Sequence, residues 1–111
     1  IILHSDGGAM RTYTYVADAV NAMFLVMEKG ESTFYNVAVD ENLISIRDLA
    51  ELIAGLSPSG KTKVTFGEKA ALLPYLPFKL AIMDTNKIRN LGWKPKVKNK
   101  ELFQWTLHSF L

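Results

Sequence analysis

Between Arg11 and Lys29 the chain changes its period once, and that change limits what the polypeptide can become. "RTYTYV" alternates small polar and aromatic residues, the spacing that puts every second side chain on one face of a strand. After Val16 the apolar residues recur instead at Val20, Met23, Phe24 and Met27, the i, i+3, i+4, i+7 interval of a helix face. Asp18 stands at the junction, where a short carboxylate can cap a helix, and Gly30 stops the pattern. A strand delivered straight into a helix points to an α/β or α+β fold. Arg11, heading the strand, is explained by neither element.

The alternation continues downstream. "TFYNVAV" (33–39) reads as a short buried strand, rich in β-branched and aromatic residues. Ser45 and Asp48 make a capping-box-like start to a second helix, with Ile46, Leu49, Ile53 and Leu56 along one face. "SPSG" (57–60) is a turn and "TKVTF" (62–66) a strand candidate. Pro74 and Pro77 exclude a regular helix between Gly67 and Phe78, and "LAIM" (80–83) suits a short extended segment. Asp84 can cap a brief helix that Gly92 closes. Asn99 can open a last helix with Phe103, Leu107 and Phe110 on one side. At the start, "IILH" and "RTYTYV" flank an Asp6-Gly7 turn signal, which predicts a β-hairpin. The expectation is an α/β chain, a small α+β-like domain of short strands alternating with about four helices.

Composition narrows the chemistry. The 111 residues suit one small domain. There is no cysteine, which removes disulfides, thiolate zinc sites and thiol nucleophiles and fits a reducing cytoplasm. His4 and His108 lie at opposite ends without a partner at ligand spacing, so no metal site is expected. No apolar run is long enough for a membrane-spanning helix. The opening "IILHSDGG" has no charged leader and no cleavage pattern, lacks an initiator Met, and begins as if inside a strand. It reads as a segment of a longer chain.

Charge is divided unevenly. Residues 1–60 carry three basic and eight acidic residues, and residues 61–111 carry ten and three. A basic half can be a solvated face or a surface for phosphate-bearing ligands. "KPKVKNK" (94–100) therefore motivates one alternative, a non-enzymatic module binding nucleic acid or an acidic partner. That stretch has neither an arginine nor an aromatic platform, which makes it poor base-reading chemistry. Solubility alone is the plainer account of the lysines.

Familiar catalytic motifs are absent. No GxGxxG, GxSxG or HExxH occurs. Tyr75 and Lys79 have YxxxK spacing, but Pro77 between them opposes the helix that would put both on one face. The pair is rejected as a catalytic site.

Four stretches, taken in order, carry a resemblance: "RTYTYVADAV", "FYNVA", "ISIRDLAELIA" and "MDTNKIRNLGWKPK". Their succession resembles the C-terminal part of the extended short-chain dehydrogenase/reductases, the NAD-dependent nucleotide-sugar epimerases, dehydratases and decarboxylases. The dTDP-glucose 4,6-dehydratase and UDP-glucuronate decarboxylase branches are the nearest in pattern. The resemblance implies that residues 1–111 are a C-terminal nucleotide-sugar-binding domain within an extended Rossmann-type enzyme. The NAD-binding Rossmann domain, with the catalytic tyrosine and lysine, would lie upstream. No catalytic, cofactor-binding or metal residue is then expected here, and the chain alone should be inactive.

The resemblance also assigns roles. Arg11 would bind the diphosphate of a dTDP- or UDP-sugar, work suited to a planar, permanently charged fork. Asn36 would donate its amide to a phosphate oxygen. Many relatives carry a second phosphate-binding arginine where this chain has Leu80, so Lys79 is the substitute candidate through a one-residue shift. Ala38 and Leu102 replace family glycines, while Trp93 and Pro95 read as packing anchors. The intact enzyme is expected to be a cytoplasmic homodimer, and this chain alone to self-associate through exposed apolar surface.

Overall fold

In the computed structural model the described residues are 1–68 and 80–111. Lys79 and the Tyr75/Lys79 pair lie outside them, as does most of the stretch containing Pro74 and Pro77. The elements run β1 (Ile2–Leu3), β2 (Met10–Arg11), α1 (Val16–Lys29), a 3-10 turn (Asp40–Asn42) and β3 (Ile44–Ser45). They continue with α2 (Ile46–Leu56), β4 (Thr65–Phe66), α3 (Asn86–Asn90) and α4 (Asn99–His108). Short strands alternating with four helices among the described residues match the α/β expectation.

The hairpin does not form. β1 pairs parallel with β4, Ile2 beside Thr65, whereas β2 pairs antiparallel with β3, Arg11 beside Ile44. Gly7 does make the expected turn at φ 72°, but the chain leaving it runs along the start of α2. There the Arg47 and Ile46 amides donate to the Gly7 and Ala9 carbonyls at 2.9 and 3.0 Å. A Cβ on residue 7 would stand 2.8 Å from Arg47 Cβ, so glycine is required by close approach as well as by φ. Local turn chemistry was right, and distant segments took the ladders.

α2 follows its sequence closely. The Ser45 hydroxyl accepts the Asp48 amide at 3.0 Å and donates to the Asp48 carboxylate at 2.7 Å. Leu49, Ala50 and Ala54 are buried, and this face packs against α4. The α4 side contributes buried Leu102, so a leucine fills the position of the family glycine. Two edge-to-face aromatic pairs also fix α4, Tyr13 on Phe103 at 5.3 Å and Tyr15 on Trp105 at 5.2 Å.

α1 departs from its pattern in two ways. Its N-cap is Tyr15, with no side-chain cap, and Asp18 lies inside the first turn, buried. One carboxylate oxygen of Asp18 accepts the Lys96 and Val97 amides at 3.1 and 3.0 Å. The Asp18 carbonyl accepts the Trp93 indole N–H at 3.0 Å. Asp18 is therefore a tether between distant segments and not a cap. This tether turns Ala22 into the small core of Val39, Ile88 and Trp93, with Leu25 and Val26 packed beside it. The apolar stripe of Val20, Met23, Phe24 and Met27 faces outward, with Met27 80% exposed.

Residues 33–39 are not a strand. Val39 and Ala38 are buried, but Phe34 is 95% exposed and the stretch carries no ladder among the described residues. Ala38 sits there without a left-handed backbone, so the lost family glycine costs nothing in φ. Asp84 caps as expected in kind, its carboxylate accepting the Asn86 amide at 2.9 Å, one residue ahead of the Thr85 N-cap. Gly92, at φ 108°, closes α3 with the paired bonds Gly92 N–H to Arg89 and Trp93 N–H to Ile88.

Asp18→Ala should cost about 2–4 kcal/mol in urea unfolding, because two part-buried amides lose a charged acceptor. Asp18→Asn should cost about 1 kcal/mol or less, since a carbonyl oxygen can still receive both amides. Equal effects of the two substitutions would remove the tether account.

Candidate functional site

Arg11 sits at the end of β2, half-buried, its main chain held by β3 on one side. On the other side Met10 bridges to Leu80, the first described residue after Lys79. The guanidinium Nη1 donates to the Met10 carbonyl at 2.7 Å. Backbone pairing around Arg11 makes its mount stiffer than a loop, and the planar guanidinium it carries is a permanently charged fork of donors. The strand character of "RTYT" thus places the cation, although the ladder covers only Met10 and Arg11.

Asn36 is placed by different elements. Tyr35 and Val37 face a shallow apolar groove against α1, also lined by Met23, Val26 and Phe34, of about 420 Å³. Asn36, between them, donates its amide to the Asp84 carbonyl at 3.1 Å, ahead of α3. Lys87 strengthens the same junction, reaching the Thr33 hydroxyl and Phe34 carbonyl at 3.0 Å each and lying 4.7 Å from the Tyr35 ring centre. One amide hydrogen of Asn36 therefore serves the fold. The structure sets Arg11 beside β3 and Asn36 beside α3, and Lys79 falls outside the described residues.

Two residues near β3 escaped the sequence reading. Asn42 is 1% exposed, and its amide donates to the carbonyls of Tyr13 and Val97, both at 2.9 Å. Its own carbonyl accepts the Asn99 amide at 3.0 Å. Nothing in "DENLIS" marks Asn42 as buried; a polar residue ahead of a capped helix reads as loop. Beside it, Glu41 forms a bidentate pair with Arg89 at 2.9 and 3.1 Å. Arg89 is further oriented by the Thr85 hydroxyl at 3.0 Å and the Trp93 ring. The hydrogen-bonded Arg89 guanidinium holds the Glu41 carboxyl below its ordinary range.

Among the described residues, neither the approach to α1 nor that to α2 fits a dinucleotide. The β2-to-α1 connection, Thr12 to Tyr15, contains no glycine to let a backbone approach a pyrophosphate. The α2 N-terminus is occupied by its own Ser45 cap and the Asp48 carboxylate, which opposes an anion. No group of acidic or histidine side chains suits a metal among the described residues, and no helix there is long and apolar enough to cross a membrane. Lys94, Lys96, Lys98 and Lys100 are all exposed, on a backbone tied down by Asp18 at 96 and 97.

No family model matches the chain. Curated relatives do. Similarity to the dTDP-D-glucose 4,6-dehydratase of Mus musculus is 29% identity over 103 residues, 89% of this chain and 28% of that protein. Similarity to the UDP-D-apiose/UDP-D-xylose synthase of Oryza sativa subsp. japonica is 30% over 115 residues, 92% of this chain and 29% of that protein. The chain therefore spans less than a third of either relative. Among solved structures, the UDP-glucose 4-epimerase of Thermotoga maritima with UDP-glucose superposes with TM-score 0.79 at 26% identity. It covers 99% of this chain, which matches 34% of it. The dTDP-glucose 4,6-dehydratase of Bacillus anthracis in complex with NAD shares the fold at TM-score 0.75 and 23% identity, over 98% of this chain and 33% of that one.

The Glu41 shift has a signed consequence. A carboxyl whose folded pKa is depressed adds stability above its unfolded value, and loses it as pH falls through the folded one. The pair is partly solvated, so the effect is small. In urea titrations, the advantage of the unaltered chain over Glu41→Gln should be present at pH 7 and shrink below about pH 4.3, the ordinary glutamate value. An advantage independent of pH would contradict the ion pair.

Proposed function

We propose, from the premise that this chain is a C-terminal part of an extended short-chain dehydrogenase/reductase, that it holds the diphosphate of a UDP- or dTDP-sugar. The longer enzyme it would serve is an NAD-dependent nucleotide-sugar epimerase or dehydratase. NAD and the catalytic tyrosine and lysine belong, in this reading, to an N-terminal Rossmann domain outside these 111 residues. The chain contributes substrate binding and no catalytic group.

The observation that carries the reading is Arg11 on a paired strand, at the position where the family pattern puts a phosphate-binding arginine. A guanidinium fork can meet two phosphate oxygens at once, and backbone pairing on both sides of its strand limits the ordering needed on binding. Asn36 and Lys79 are the further proposed contacts. Asn36 keeps one amide hydrogen beyond its bond to Asp84. The solvent-facing stripe of α1, with Phe34, supports self-association of the chain on its own and, in the longer enzyme, a homodimer containing a further covering domain.

Calorimetric titration with UDP-glucose and dTDP-glucose tests the reading. Arg11→Ala should weaken binding roughly tenfold or more, the loss expected of a charge-assisted pair, with the unfolding midpoint nearly unchanged. Undiminished affinity would remove Arg11 from the site. Light scattering should show the isolated chain above monomer mass, and Phe24→Ser with Met27→Ser should return it toward monomer.

A further inference from the structure

We infer that Asn42 is a positioning residue of the nucleotide-sugar site, acting on Arg11 through the main chain of Tyr13. The inference rests on the reading of Arg11 as the diphosphate contact. It begins with the register of the β2–β3 ladder, in which Met10 faces Ser45 and Arg11 faces Ile44. Continued two residues further, that register puts Tyr13 opposite Asn42. The backbone ladder has ended by then, because Asp40–Asn42 coils into a 3-10 turn. The Asn42 side chain takes over: its amide meets the Tyr13 carbonyl at 2.9 Å. A side chain thus replaces the ladder bond that the turn removes.

Both amide hydrogens are committed. The second donates to the Val97 carbonyl at 2.9 Å, on the segment whose Lys96 and Val97 amides Asp18 holds. Asn42 therefore binds the strand leaving Arg11 to the same strip that fixes the start of α1. A group 1% exposed with two long-range acceptors has little freedom to relax. The ladder ends at Arg11, and without Asn42 the Tyr13 stretch would be held by its side-chain ring contact with Phe103 and no longer by its carbonyl. An arginine at the frayed end of so short a ladder would sample more directions, and its phosphate contact would weaken.

The experiment is a double-mutant cycle read by calorimetric titration with UDP, alongside urea unfolding. Asn42→Ala should weaken UDP binding about five- to tenfold in the unaltered chain and less than about twofold in the Arg11→Ala background, while the stability losses add. Asn99→Ala is the control. It removes the bond to the Asn42 carbonyl and leaves the Tyr13 bond, so it should lower the unfolding midpoint with affinity held within about twofold. An equal affinity loss in both backgrounds, an unchanged affinity in Asn42→Ala, or an equal loss in Asn99→Ala overturns the inference. Full affinity in Arg11→Ala overturns instead the reading on which it rests. If Asn42→Ala does not fold, the unaltered chain still decides by NMR. The Asn42 side-chain amide resonances should shift with those of Arg11 as UDP is added, and silent Asn42 amides overturn the inference.

Discussion

The fold depends on one buried carboxylate. Asp18 receives two amides from the segment after α3, and the indole of Trp93 reaches the carbonyl of the same residue. A buried carboxylate is stable only when its charge is met by donors, and here backbone amides meet it. Those bonds join positions more than seventy residues apart. They decide which side of α1 is inside. Ala22 goes inward because Asp18 does, one turn earlier, and Val20, Met23, Phe24 and Met27 are carried to the outer face.

From that tether the geometry of the candidate site follows in short steps. Asp18 fixes the main chain at 96 and 97, and Asn42 uses the Val97 carbonyl to hold itself in place. Asn42 then holds Tyr13, and Tyr13 lies two residues beyond Arg11 on the same extended stretch. The aromatic contacts of Tyr13 and Tyr15 with α4 steady that stretch from the other side. A cation on a ladder of two residues is aimed less by the ladder than by what grips the chain after it.

How legible this was depended on the range of the interaction. α2 was legible in its cap and in buried Leu49 because Ser45, Asp48 and the apolar spacing act locally, while Ile46, Ile53 and Leu56 of the same expected face are half-buried and Ala50 and Ala54 complete the buried side. Gly92 closed α3 for the same reason, its φ being set by the two bonds that end the helix. The hairpin failed because β1 and β2 each found a better partner far along the chain, which a turn signal does not report. The apolar spacing of α1 marked a helix but not its inward side, because periodicity identifies an apolar face without saying what lies against it. Arg11 was legible as a candidate from the family pattern, whereas Asn42 had no signal, since a loop asparagine looks alike buried or solvated.

The sequence by itself determined the helices, the cap of α2, the glycine stops after α1 and α3, and the succession of motifs that carries the resemblance. These are local properties, set by side-chain periodicity and by backbone groups a few residues apart. Only the tertiary structure decided strand partners, the inward side of α1, the tethering role of Asp18 and the burial of Asn42. Each depends on which distant donor meets which acceptor, and such pairings are fixed by packing in three dimensions, where sequence separation has no bearing on proximity.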